Sequence, residues 1–176
     1  ATRQNIHIDL GEIPDLLSPC GDQHHLVRAL THILDNAIKF TPAGGQIEID
    51  ASYVCSGEIL AMQSKLQPFS PAFFKTTNLP DMINIRISDS GLGIDEDERL
   101  RIFDKFHASG DISLHGRHSG APSTASVGLG LPLAKGLIEA HGGLLWNENR
   151  STGSGSIFHT MLPLFRRQPT PESPEP

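Results

Sequence analysis

Between Asp22 and Phe40 the sequence leaves little choice of structure. Leu26, Leu30, Ile33, Leu34, Ala37 and Ile38 recur at helical spacing and form one apolar stripe. Asp22 offers an N-cap oxygen, and Thr41-Pro42 stops the run because the residue before a proline is driven out of the helical region. A helix with one such stripe has to lie on something apolar. Asn5 to Leu10 (NIHIDL) alternates with Ile6, Ile8 and Leu10 on one side, and after Gly44-Gly45 the stretch Gln46 to Tyr53 alternates again. The opening therefore reads strand, helix, strand, and predicts an α/β fold.

The remaining chain is unevenly organised. Residues 56–81 carry Pro68, Pro71 and Pro80 with Phe69, Phe73 and Phe74 and no sustained period, which predicts a structureless insertion. Its phenylalanines dock either on a partner or on the body of their own domain, and the second is the expectation. Ile83 to Ile87 (INIRI) alternates as a strand and runs into Asp89-Ser-Gly-Leu-Gly-Ile94, followed by a short helix over about 95–103. Residues 107–125 are polar, glycine-rich and nearly without apolar anchors, the mark of a mobile loop. Leu131 to His141 is helical, with Leu133, Ala134, Leu137 and Ile138 on one side and Gly142-Gly143 as its left-handed cap. Strands follow at 144–149 and 156–162, and the proline-rich tail 166–176 cannot bury enough surface to stay ordered.

Composition excludes several classes. The 176 residues suit one domain. With 17 Gly and 13 Pro the chain exceeds the roughly 12% average usage yet lacks the period of a collagen or coiled coil, so it is soluble and loop-rich. No apolar run approaches the ~20 residues of a membrane helix. The formal charge is -6 and the 14 basic residues are scattered, which argues against a nucleic-acid groove or an anionic membrane surface. Cys20 and Cys55 have no metal-type or redox-type spacing and read as thiols of a reduced compartment. The chain opens Ala1-Thr2-Arg3 without a signal segment, and reads as a piece of a longer protein.

Three short strings carry chemistry. At 100° per residue, His32, Asn36, Lys39 and Phe40 share one flank of the long helix. An amide carbonyl there suits a hard cation such as magnesium, and a lysine suits a phosphate, while a plain solvated face is an equal reading of this segment alone. The Asp89 turn brings backbone close to a ligand and offers a carboxylate to an amine donor, although such turns are common. Gly128-Leu129-Gly130-Leu131 precedes a helix whose free N–H groups and dipole favour a phosphate. No Gly-Lys-Ser/Thr occurs, so this is not a P-loop, and neither glycine pair completes GxGxxG.

Taken in order, Asp35-Asn-Ala-Ile-Lys-Phe-Thr-Pro42 with Gly44-Gly45, DSGLGI at 89–94, Ile102-Phe-Asp-Lys-Phe106, GLGL at 128–131 and Ala140-His-Gly-Gly143 resemble the ATP-binding domain of sensor histidine kinases. They look like that family's N box, first glycine box, F box and second glycine box across roughly residues 5–164. The superfamily includes gyrase, MutL and large heat-shock chaperones. The resemblance implies a Bergerat-type α/β fold, a two-layer sandwich of a mixed sheet on about three helices, spanning 1–165 with residues 107–126 as an ATP lid. It implies magnesium on Asn36, Lys39 and Phe40 near phosphates and base, Asp89 on the adenine amine, Gly91 and Gly93 beneath the base and Ile94 as an apolar wall. Phe103 and Phe106 would anchor the lid, with Gly128, Leu129, Gly130 and Leu131 at the triphosphate.

The implied activity is transfer of the γ-phosphoryl of Mg-ATP to a histidine on a separate helical dimerisation domain, with a response regulator downstream. The implied location is cytoplasmic and the isolated domain a monomer. Two departures stand out. Ser126 replaces a further glycine, which stiffens the lid hinge or slows exchange, and His32 stands where the family has Asn and gyrase a general-base Glu. Its imidazole either acts near the γ-phosphate or, the favoured reading, hydrogen-bonds at the metal edge. His107, His115 and His118 lack a fourth ligand and read as lid polarity rather than a metal site. The rival functions are a nucleotide hydrolase, a regulatory nucleotide-sensing module with weak or no turnover, and a protein-interaction module using Phe69, Phe73 and Phe74.

Overall fold

The computed structural model describes residues 5–14, 18–76, 78–107 and 128–164. The mobile-loop expectation falls almost wholly on 108–127 and the tail expectation on 165–176, both outside the described residues. Five strands form one mixed sheet: β1 His7–Leu10, β2 Gln46–Val54, β3 Met82–Asp89, β4 Leu144–Asn149 and β5 Ser156–Pro163. Their spatial order is β1-β2-β3-β5-β4, with β1 parallel to β2 and every other pair antiparallel.

Helix α1, Gln23–Phe40, forms where its stripe predicts. The Asp22 side chain accepts the His25 N–H at 3.0 Å, and that bond holds the Asp22 carboxyl below the usual carboxylate range. At the other end Thr41 Oγ donates to the Ala37 carbonyl at 2.7 Å and the chain leaves the helix extended. Helix α4, Gly130–Ala140, packs beside α1 on the same sheet face and ends at Gly142, whose φ is +71°. The two helices are pinned at one corner by His141. Asp22 N–H donates to its Nε2 at 3.1 Å, so the ring proton sits on Nδ1 and reaches the Leu137 carbonyl at 2.7 Å.

Register sorts the strands into two faces. Ile47, Ile87, Phe158 and Leu145 are buried towards α1 and α4. On the other face Val54, Met82, Trp146 and Met161 are buried too, beneath the chain between β2 and β3. That segment corrects the expectation of a structureless insertion. It forms α2, Ser56–Ala61, and α3, Gln63–Leu66, and a 3-10 turn at Phe73–Lys75. A capping box in which the Glu58 carboxylate takes the Cys55 N–H at 2.9 Å starts α2, and buried Ile59 and Leu66 seat the pair.

Two more expectations change. The helix over 95–103 is two 3-10 turns, Glu96–Glu98 and Arg101–Phe103. Ile8 and Leu10 are 46% and 73% exposed rather than buried, because β1 is the sheet edge and α1 lies over β3 instead. Among the described residues no helix is long and apolar enough to cross a membrane.

Candidate functional site

The site lies where β3 ends. Asp89 is 2% exposed, and its carboxylate is held by three donors: the Gly91 N–H at 2.8 Å and the Ser156 N–H at 3.3 Å on Oδ1, and the Ser156 hydroxyl at 2.5 Å on Oδ2. Two carboxylate oxygens offer about four acceptor positions. One position on Oδ2 is left for an outside N–H. The turn that follows is pressed against the end of α1, where a Cβ on Gly91 would stand 2.6 Å from the Phe40 carbonyl oxygen. Only glycine fits there. Ser90 completes the corner by accepting the Gln46 N–H at 2.8 Å, which fixes the start of β2.

Ile94 is clamped from β4. Its N–H donates to Asn149 Oδ1 and the Asn149 amide donates back to its carbonyl, each at 2.8 Å. Arg99 makes the next link, with Nη2 on the Asn147 carbonyl at 2.6 Å while the fully buried Asn147 amide donates to the Arg99 carbonyl at 2.7 Å. Two amides on one strand thus hold the path of the chain leaving the Asp89 turn.

The second glycine string meets α1 further along. Gly130 opens α4 beside His32, its Cβ direction 3.6 Å from the ring Nδ1. His32 Nε2 is buried and has no partner among the described residues. Asn36, one turn on, is half-buried and its amide makes no hydrogen bond to a described residue. Lys39 lies 4.8 Å over the Phe40 ring, which is exposed. Gly128 has φ +68° and its carbonyl accepts the Phe106 N–H at 3.2 Å, so the two flanks of 108–127 are joined. Phe106 is itself left-handed, φ +65°, and 70% exposed. A bulky side chain in that region marks backbone held by its surroundings. His107 pairs with Glu98 on the same flank.

The structure therefore brings together His32, Asn36, Lys39, Phe40, Asp89, Gly91 and Gly130 along one side of α1. Gly93, with φ +82°, and Ile94 lie instead against Asn149 of β4. Phe103 is different: its ring is buried edge-on between Phe69 and Phe158, in the core. Leu129 is exposed and Leu131 partly buried. Sequence reasoning missed Asn149, Ser156 and Asn147. The glycine-serine turn before β5 signals Ser156, but nothing local points Asn149 at a residue 55 positions away. Among the described residues no three His, Cys, Asp or Glu side chains gather as a metal cage. His115 and His118 fall outside the described residues. A shallow hollow of about 190 Å³, lined by Glu48, Asp50, Arg86, Ser88 and Arg150, lies on the opposite face of the sheet and shares none of these groups.

Residues 21–166 match the model of the family described as histidine kinase-, DNA gyrase B- and HSP90-like ATPase. The adaptive-response sensory kinase SasA of Synechococcus sp. (strain JA-2-3B'a(2-13)) is 32% identical over 157 residues, 88% of this chain and 32% of that protein. The circadian input-output histidine kinase CikA of Synechocystis sp. is 31% identical over 151 residues, 86% of this chain and 16% of that one. The chain thus spans a third or less of these relatives. Its fold is similar to the mycobacterial sensor histidine kinase MprB, at TM-score 0.62 and 24% identity over 92% of this chain and 84% of that one. Full-length ShkA in complex with AMPPNP gives 0.61 and 24%, over 92% of this chain and 26% of that one.

Proposed function

Because this chain belongs to the histidine kinase-, DNA gyrase B- and HSP90-like ATPase family, we propose that it is the ATP-binding catalytic domain of a two-component sensor histidine kinase. The observation that carries this reading is the Asp89 carboxylate, buried, braced by Gly91 and Ser156, and left with one acceptor position. An exocyclic amine of adenine is a donor of the right kind for it. Ile94, held by Asn149, supplies an apolar wall, and the glycines at 91 and 93 let the base lie against backbone.

The triphosphate then runs along α1 towards Gly130, where the first turn of an 11-residue helix presents free N–H groups and a positive dipole end. Lys39 adds a cation at the other end of the same flank. The orphaned His32 Nε2 and the open Asn36 amide fit a hydrated cation with phosphate oxygens, since magnesium keeps most of its ligands as water and phosphate and asks one or two groups of the protein. Asn36 would hold it, and a bound cation would supply neutralisation of phosphate charge. His32 hydrogen-bonds at that edge.

In the reaction the bond between the γ-phosphorus and its bridging oxygen breaks, a phosphorus–nitrogen bond forms on the acceptor imidazole, and ADP leaves with the electron pair. The acceptor belongs to a separate helical dimerisation domain, and a response regulator receives the group in turn. Residues 107–126 act as the lid of a domain spanning 1–165 in the cytoplasm. The alternative is a regulatory module of the same fold with weak or no turnover. Titration with a non-hydrolysable ATP analogue, with and without magnesium, on wild type and Asp89→Asn tests the reading. Magnesium-dependent binding weakened at least about tenfold by the variant is expected, and binding indifferent to Asp89, or none, overturns it.

A further inference from the structure

Val54 and Met82 are register partners, so β2 could return into β3 through a tight turn. Instead 27 residues of chain, Cys55 to Asp81, make an excursion closed at its base by Ser56 N–H on Asp81 Oδ1 at 3.2 Å. The excursion starts on the back of the sheet, where Lys65 pairs with Glu148. It then passes the β4 edge to the helix side. There the Phe69 ring meets Phe103 edge-on at 6.2 Å, Lys135 Nζ of α4 donates to the Phe69 carbonyl at 2.5 Å, and the buried Ser70 hydroxyl donates to Glu139 of α4 at 2.9 Å. Lys135 in turn pairs with Glu139 and lies 5.8 Å over the Phe103 ring.

One strap thus grips two separate parts of the site. Phe103 belongs to the segment that leads through Phe106 to the Gly128 carbonyl, and α4 begins at Gly130 against His32. We infer that Phe69 and Ser70 are positioning residues of the nucleotide site, holding Phe103 and α4 at the spacing in which the glycine turn at 128–130 faces α1. The Phe69–Ser70 end of the strap is part of the working site and not a dispensable insertion. The inference rests on the nucleotide-binding reading, and acts through Phe103 and α4 rather than by touching nucleotide. A shift of about 1 Å in such a support is enough to cost a large factor in function.

The test uses the full chain with Phe69→Ala, Phe69→Leu, Ser70→Ala, Lys135→Met and, as a control anchored only on the back face, Lys65→Met. Affinity for the ATP analogue is measured beside the thermal midpoint and far-ultraviolet dichroism. Phe69→Ala and Lys135→Met should weaken analogue binding about tenfold with the helical signal retained, Ser70→Ala by less, and Phe69→Leu should recover most of the affinity. Lys65→Met should leave affinity unchanged. Unchanged affinity in Phe69→Ala, Ser70→Ala and Lys135→Met, with wild type binding normally, overturns the inference alone, whatever their midpoints do. No binding by wild type overturns the nucleotide reading and the inference together. Should Phe69→Ala fail to fold, Lys135→Met and Ser70→Ala decide.

Discussion

The two faces of the sheet are held by different means. Towards α1 and α4, around Asp89, the tightest packing sets glycine and backbone against backbone, beside the bonds of Asp89 and Asn149: Gly91 under the Phe40 carbonyl, Gly155 under the Asp89 carbonyl, Phe106 N–H on Gly128. On the far face they are between charged and aromatic side chains. His159 stacks on Trp146 with centroids 4.4 Å apart, accepts the Asn84 amide on Nδ1 at 3.3 Å, and so carries its proton on Nε2, which donates to Glu148 at 3.2 Å. Beside it Arg86 and Asp50 pair at 2.7 Å, which raises the arginine above its already high value. Backbone packed this closely leaves no room for an added atom, whereas contacts between titratable side chains respond to pH.

Four changes would break or sharpen that contrast. The largest effect is expected at Gly155, where φ is +123° and a Cβ would stand 2.0 Å from the Asp89 carbonyl oxygen. Gly155→Ala should cost about 3 kcal/mol or more and abolish analogue binding, read by urea unfolding and titration. A stable, binding variant would show that the front face is looser than its geometry.

Acid should act on the back face instead. Burial pushes His159 down to about 4 against the pull of Glu148, while the unfolded ring titrates near 6.5. Between these values the unfolded chain binds more protons, so stability is intact above pH 6.5 and declines as pH falls towards 4, by about 2–3 kcal/mol in all. Glu148, which burial would raise, is nevertheless held low by Lys65 and His159 and adds to the loss at the acid end of that window. Urea midpoints from pH 7 to 5 should slope in wild type and flatten in His159→Gln. An equal slope in both would place the proton elsewhere.

Asn149→Ala removes both bonds to Ile94 and should lower stability by about 1 kcal/mol while weakening analogue binding, seen in one calorimetric titration. Lys65→Met should change stability by less than about 1 kcal/mol, because the lysine end of its pair with Glu148 is half exposed. A larger loss would make the strap's back anchor a principal support of that face.

What could be read in advance follows the same division. The Asp22 cap, the α1 stripe and the glycine turns are local, so neighbouring residues announce them. The Asp89–Ser156 contact joins residues 67 apart and depends on which strands become neighbours, which alternation does not encode. Ile8 and Leu10 alternate as a covered strand would, and only the position of β1 at the sheet edge leaves them open. The strap was hidden because its helices are a turn or so long and start from a cysteine, and because Phe69 spends its ring on Phe103 rather than on a periodic face.

The strand order has a consequence for synthesis. β4 touches the rest of the sheet only through β5, which comes after it in the chain and sits between it and β3. A nascent chain can pair β1, β2 and β3 early, but β4 has no neighbour, and Asp89 lacks its Ser156 donors, until β5 emerges. Domains fold as units while the ribosome adds residues one at a time. Here the surroundings of Asp89 are the last thing to be finished, so a product cut short before residue 156 would carry the glycine turn at 89–94 without the donors that brace its carboxylate.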